Sequence, residues 1–403
     1  MKLLRLAIAA AFAMAWAAPA AAQRYTATQH GDVIDLADAT NQMMVSVVWS
    51  MSNAWRIRVK GKDLVRTAAT LGDFQSRPGL SGMPLLAPFA NRLDDTAFYA
   101  NGKKYNFDLE LGNVRGPIPS TGYVNGSKAW QLVEFNADQK SASVTCKLDF
   151  YKNPQYMKQF PFAHTITMTY RVADGALEVR TRLDNLSTEA MPVVIGYHPI
   201  FELPDGNRND WTVSVDARTH WIEIPQRLPT GETQPIENFF NADREAIALK
   251  NYGLIDDVFT DLIRDADGRA TMTLRYNGKE VQTVLGPKYR TVLLWSPPLG
   301  GGGGRGGGAG APAPAAGPFA VDPAKGVRTA PAAVIPASNA AAAGARQGVT
   351  ASAQQDRGFI AFEPMVAVTN ALNLAQKGLY KDLQSIPPGG SWEESFWIRT
   401  RGY

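Results

Sequence analysis

The chain has 403 residues, 45% hydrophobic and 10% aromatic, enough apolar mass for a large core. Lys+Arg (41) and Asp+Glu (37) leave a net charge of only +4. Two of those charges, Lys2 and Arg5, lie in the first 22 residues, and residues 300–356 carry four bases against two acids, so the body is neutral and nucleic acid is not an expected partner. The single cysteine, Cys146, excludes an intrachain disulfide framework and a cysteine-cluster metal site, and four histidines leave little room for a multi-histidine metal centre.

Residues 1–22 read MKLLRLAIAAAFAMAWAAPAAA. Lys2 and Arg5 form a positive start, an apolar stretch follows, and Ala20, Ala21 and Ala22 supply small residues for cleavage. This is the pattern of a signal peptide, so the mature chain from residue 23 is expected to be periplasmic or secreted, with no membrane span after cleavage.

The mature sequence reads mostly as strands. VSVVWS (45–50) and WRIRV (55–59) are short alternating runs. Val144, Cys146 and Leu148 alternate with polar residues, which makes the lone thiol a core residue. TITMTYRV (165–172) and ALEVRTRL (176–183) flank the turn Ala173-Asp174-Gly175 and read as a β-hairpin. Further strands are expected at 211–215, 270–276, 280–285 and 291–295, with Asn277-Gly278 marking a second tight hairpin. Long periodic helices are absent, and the pattern predicts an all-β fold, a large antiparallel β-sandwich.

Residues 300–356 break this pattern. Of the 57 residues, 13 are Gly, 18 Ala and 6 Pro. Large apolar residues are too few to offset the entropy of ordering the segment, so it reads as a disordered insertion in a single 23–403 domain. A phosphate-binding loop needs spaced glycines, a Lys-Ser/Thr pair and a following helix, none of which is present.

Four segments carry a resemblance: GMPLLAPFANRLDDTAFYANGKKYNF (82–107), MPVVIGYHPIFEL (191–203), LIDDVFTDL (254–262) and FIAFEPMVAVTNALN (359–373), the last followed by PPGGSWEESFWI. In this order they resemble the aldose 1-epimerase (galactose mutarotase) family. That family has a P-x-x-N-R-[IL] segment, a G-x-H-P-x-F-x-L segment, an Asp with a Phe three positions on, and an E-P segment ending in A-x-N. The resemblance implies a supersandwich of the galactose mutarotase-like type, a small-molecule sugar as substrate, and no metal or cofactor.

Interconverting the anomers of an aldose requires opening its hemiacetal ring. A base takes the C1 hydroxyl proton and an acid protonates the ring oxygen, so a carboxylate and a histidine on opposite sides of the C1–O5 bond suit the task. The matched positions are Glu363 in FIAFEP, as base, and His198 in VIGYHPIF, as acid. Each is an isolated polar group in an apolar run, surroundings that tend to raise the carboxyl pKa. The resemblance also implies sugar-binding roles for Arg92 with Asn91, and for Asp256, the first of two adjacent acids. His164, in FPFAHTIT, lacks such context and reads as a core or edge histidine.

One departure stands out. Where the family has a His-Gly step, this chain has Thr121-Gly122. A neutral hydroxyl in place of a charge-assisted donor costs on the order of 1–2 kcal/mol, about ten- to thirtyfold in rate. The alternatives to a secreted epimerase are a carbohydrate-binding protein without catalysis and a hexose-6-phosphate 1-epimerase. The latter would need a cluster of basic residues for the phosphate.

Overall fold

The computed structural model describes residues 23–110, 114–115, 118–300 and 357–403. The signal-peptide reading of residues 1–22 and the insertion reading of 300–356 fall, apart from Gly300, outside the described residues.

The architecture is antiparallel β throughout its main sheets. A nine-stranded sheet runs in the order Gln131–Ala137, Ala142–Asp149, His164–Ala173, Ala176–Asn185, Ser391–Arg401, Lys279–Leu285, Ala270–Tyr276, Thr212–Val215 and Ile247–Ala248. An eight-stranded sheet runs Pro229–Pro235, Ala217–Glu223, Ile255–Leu262, Thr291–Ser296, Ile360–Met365, Gly196–Tyr197 and Leu85–Leu86, with Ile200–Phe201 also paired to Ile360–Met365. A five-stranded sheet over residues 25–63 precedes both. The expected hairpins form: Ala173 pairs with Ala176 and Tyr276 with Lys279. Asp174 and Gly175 take φ of 48° and 70°, and Asn277 and Gly278 take 49° and 72°, the two consecutive left-handed residues that a two-residue turn needs to match strand twist. The α-helices among the described residues are five or six residues long, and no helix there is long and apolar enough to cross a membrane.

Burial follows strand position. In the nine-stranded sheet, Val144, Cys146 and Leu148 are buried and alternate with more exposed neighbours, as do Leu177, Val179 and Leu183 on a neighbouring strand, so one face packs on the core. Cys146 is a core residue, and burial pushes its thiol up to about 12. In the eight-stranded sheet Ile360–Met365 is buried at every residue, so both its faces are covered. His164 is also core: it stacks on Phe150 at 4.1 Å, its Nδ1 lies 2.7 Å from the Phe162 carbonyl oxygen, and burial lowers its pKa to about 4.

The chain on either side of residues 301–356 belongs to one continuous ladder. Thr291–Ser296 pairs antiparallel with Ile360–Met365, with Trp295 opposite Ala361. Buried Arg208 fastens the open end: its Nε donates to Ser296 Oγ (2.8 Å), and its side chain also donates to the carbonyls of Leu249 and Gly253. Ser296 Oγ in turn donates to the Phe359 carbonyl at 2.8 Å, and the Arg208 amide donates to the Arg357 carbonyl at 2.7 Å. A chain lacking residues 301–354 is therefore expected to fold with a melting temperature within a few degrees of the full chain. Recovery of the shortened chain only as aggregate, with the full chain soluble, would contradict this.

Candidate active site

The four sequence segments converge on one face of the eight-stranded sheet. Gly196 is a point of close approach: a side chain there would meet Ala90 Cβ at 2.8 Å and Met365 Cγ at 2.9 Å. Glycine lets the 85–90 segment, Gly196–Tyr197 and the strand carrying Glu363 lie against one another. His198 follows directly, its amide donating to the Pro84 carbonyl.

The loop carrying Asn91 and Arg92 is bracketed by two further segments. Arg92 bridges to Ser120, and the Thr121 amide donates to the Asn91 carbonyl at 2.6 Å. Asn91 and Thr121 take left-handed φ of 56° and 61°. That conformation is mild for Asn and strained for β-branched Thr, on the order of 1–2 kcal/mol. Gly122 must be glycine, because a Cβ there would lie 2.1 Å from the Ala87 carbonyl oxygen. On the other side, Asn373 Nδ2 donates to Asp94 at 2.7 Å, Asn370 accepts from the Asp94 amide, and Lys377 pairs with the same carboxylate. Burial pushes the Asp94 pKa up, but these hydrogen bonds outweigh it and hold it below the usual range. The A-x-N end of the last motif is thus the clasp of the N-R loop.

Glu363 and His198 are both buried, 2% and 5% exposed, so neither is a surface strand residue. They were expected on opposite sides of a substrate bond; here they touch, with His198 Nε2 3.0 Å from Glu363 Oε1. The other carboxylate oxygen and His198 Nδ1 are buried without a hydrogen-bond partner. Burial raises the Glu363 carboxyl well above its ordinary value, helped by the negative charge of Asp256 and opposed by Arg92. Burial lowers His198 to about 4. Both effects favour the uncharged forms, so the pair shares its proton across the 3.0 Å contact. The half-buried indole of Trp295 stands 5.2 Å from the His198 ring.

Arg92 and Asp256 form a second buried pair, at 2.8 Å, and Asn91 Oδ1 accepts from Arg92 at 3.0 Å. The register explains the choice between the two adjacent aspartates. Asp256 lies opposite Trp295, and Val258, two residues on, lies opposite Leu293, which lies opposite Glu363. Alternate residues share a face, so Asp256, Trp295 and Glu363 point the same way. Asp257 instead meets His220 Nε2 at 3.1 Å and Arg227 at 3.4 Å. Thr121 Oγ1 donates to the neighbouring Ser120 carbonyl.

Sequence reasoning missed Glu223, whose side chain is 4% exposed and lies 4.0 Å from Arg227. Its Oε2 has no hydrogen-bond partner. Burial raises its pKa to about 9, and the charges of Asp257 and Asp256 add to the rise. A folded protein that holds a proton which the unfolded chain releases above about pH 4.5 loses stability as pH rises from there towards 9. Glu223→Gln removes that loss while keeping the shape. Its melting temperature is expected to exceed wild type by a few degrees at pH 8, with the difference vanishing near pH 4. A difference that does not depend on pH would contradict a protonated Glu223.

Comparison with known proteins identifies the fold and the family. A galactose mutarotase-like protein from Clostridium acetobutylicum superposes with a TM-score of 0.68 at 18% identity, covering 94% of this chain and 98% of that one. The aldose epimerase homologue from C. elegans gives 0.60 at 14% identity, covering 89% and 96%. Galactose 1-epimerase from Lactobacillus acidophilus gives 0.58 at 14% identity, covering 94% and 98%. At these identities the likeness establishes the fold, a galactose mutarotase-like β-sandwich. The family model for aldose 1-epimerase matches residues 53–308, more than half of the sequence, and the chain belongs to the aldose 1-epimerase family.

Proposed function

We propose that the protein is an exported aldose 1-epimerase that opens and recloses the ring of a free, uncharged aldose. The observation that carries this reading is the buried Glu363–His198 contact, beside Arg92–Asp256 on one sheet face. C1 of an aldose bears both the anomeric hydroxyl and the ring oxygen, so two adjacent groups can serve both. Glu363 takes the O1 proton, the O1–H electrons form the C=O bond, the C1–O5 pair passes to O5, and His198 gives O5 its proton. The catalytic pair enters this step as carboxylate and imidazolium and leaves it as carboxylic acid and imidazole. Its total charge does not change, and the hydrogen bond between the two groups is the path by which the resting, uncharged pair becomes carboxylate and imidazolium before the ring opens. Rotation about C1–C2 presents the other carbonyl face, and the same steps reversed close the opposite anomer.

Arg92 and Asp256 supply donors and an acceptor suited to sugar hydroxyls, and Trp295 an apolar surface for the ring. The neighbouring cations favour a neutral substrate over a phosphosugar: Arg92 is matched by Asp256, Arg227 by Asp257, and Arg66 by Glu202 at 3.1 Å. Export rests on the signal-peptide pattern of residues 1–22.

Polarimetry on fresh α-D-glucose and α-D-galactose tests the reading. Wild type is expected to exceed the spontaneous rate, and Glu363→Gln to lose about 10²–10⁴ of that acceleration. The enzymatic rate, corrected for buffer, is expected to be half lost near pH 4, where His198 gains a second proton. Wild type no faster than buffer across a panel of aldoses would favour a binding protein without catalysis. The departure at residue 121 has its own test. Histidine tolerates left-handed backbone better than threonine, so Thr121→His is expected to fold and to raise kcat/KM about ten- to thirtyfold. No gain would mean that the missing histidine does not limit this enzyme.

A further inference from the structure

Behind Asp256 lies a chain of buried polar contacts that the chemistry above does not use. The ladder between Ala217–Glu223 and Ile255–Leu262 ends at His220 opposite Phe259, three residues beyond Asp256 in sequence. The Asp256 amide is satisfied by the next residue's side chain: it donates to Asp257 Oδ2 at 3.0 Å. The other oxygen of Asp257 lies 3.1 Å from His220 Nε2. His220 Nδ1 lies 3.0 Å from Gln234 Nε2. An amide nitrogen only donates, so Nδ1 accepts, and the single imidazole proton sits on Nε2, aimed at Asp257. The ring is held flat against Phe239, with centroids 4.0 Å apart, and Arg227 Nη1 reaches Asp257 Oδ2 at 3.4 Å. His220 and Asp257 side chains are each 5% exposed.

We infer that Asp257 and His220 are positioning residues for Asp256: they hold its backbone so that its carboxylate meets Arg92 and the sugar hydroxyls in one orientation. Gln234 sets the imidazole tautomer, the imidazole sets the carboxylate of Asp257, and that carboxylate caps the Asp256 amide beyond the end of the ladder. A sugar-binding group held by a chain of satisfied contacts binds with little reorganisation, and its loosening weakens binding more than chemistry.

This inference rests on Asp256 being the sugar carboxylate, so Asp256→Asn is the control. Steady-state polarimetry of the full chain, with sugar affinity by calorimetry, supplies the readouts. Asp257→Ala is expected to raise KM about tenfold with kcat changed less than about threefold. Asp257→Asn keeps an acceptor for the amide and is expected to recover part of that loss. His220→Phe preserves the stacking on Phe239 and is expected to raise KM as well. Its effect should be strongly non-additive with Asp257→Ala, since both break one chain. A lowered melting temperature with KM unchanged in Asp257→Asn and His220→Phe would overturn the inference, as would a fall in kcat at constant KM. If Asp257→Ala does not fold, those two variants decide alone. If Asp256→Asn leaves KM and affinity unchanged, the sugar-binding role of Asp256 fails instead, and the positioning role with it.

Discussion

An arginine and an aspartate buried together, 6% and 5% exposed, form the joint between the loop after Phe89 and the Ile255–Leu262 strand of the eight-stranded sheet. Removing both from water is expensive, and such a pair adds little to net stability, but removing one partner alone costs about 3–5 kcal/mol. The surrounding structure maintains that geometry. Asn91 adopts a left-handed backbone and turns its side-chain oxygen onto Arg92. The Asp94 clasp to Asn370, Asn373 and Lys377 fixes the far side of the loop. Several residues of the motifs, Asn91, Asp94, Asn370 and Asn373 among them, therefore serve as supports for this pair.

The second organising feature is electrical balance. Arg92 and Arg227 are opposed by Asp256 and Asp257. Glu223, Glu363 and His198 are pushed by burial towards their uncharged forms. A site assembled this way holds several titratable groups with their charges balanced in sum. Proton transfers within it change little beyond their own bond, which suits a reaction in which substrate and product are isomers with the same charge.

Legibility in the sequence followed the range of the interactions concerned. The Asp174-Gly175 and Asn277-Gly278 hairpins could be read because their turn chemistry is local. Cys146 could be placed in the core from its neighbours alone, whereas His164 read as core or edge until the structure put it in the core. Glu363, His198, Arg92 and Asp256 were legible through motifs, and the structure brings all four to one place. The contact between Glu363 and His198 was not legible, because it depends on Gly196 letting two distant segments meet. Glu223, Trp295 and His220 were missed for the same reason. Each lies in an ordinary strand and acquires its role only from a register that short-range pattern does not encode. The motif pointed to Asp256, and the alignment through Trp295, Leu293 and Glu363 supplies the physical reason why Asp257 faces elsewhere.

The ladder between Thr291–Ser296 and Ile360–Met365 has a consequence for how the molecule assembles. In chain order these strands are neighbours and would make a tight hairpin, yet some sixty residues separate Trp295 from Ala361. In the unfolded chain, closing that span rather than a two-residue turn adds about 3 kcal/mol of entropy loss. The strand that carries the glutamate is thus coupled to a long-range closure, while the Asp174-Gly175 and Asn277-Gly278 hairpins of the other sheet close locally. Contacts of that kind form late. The strand that carries the glutamate therefore joins after the two local hairpins have closed.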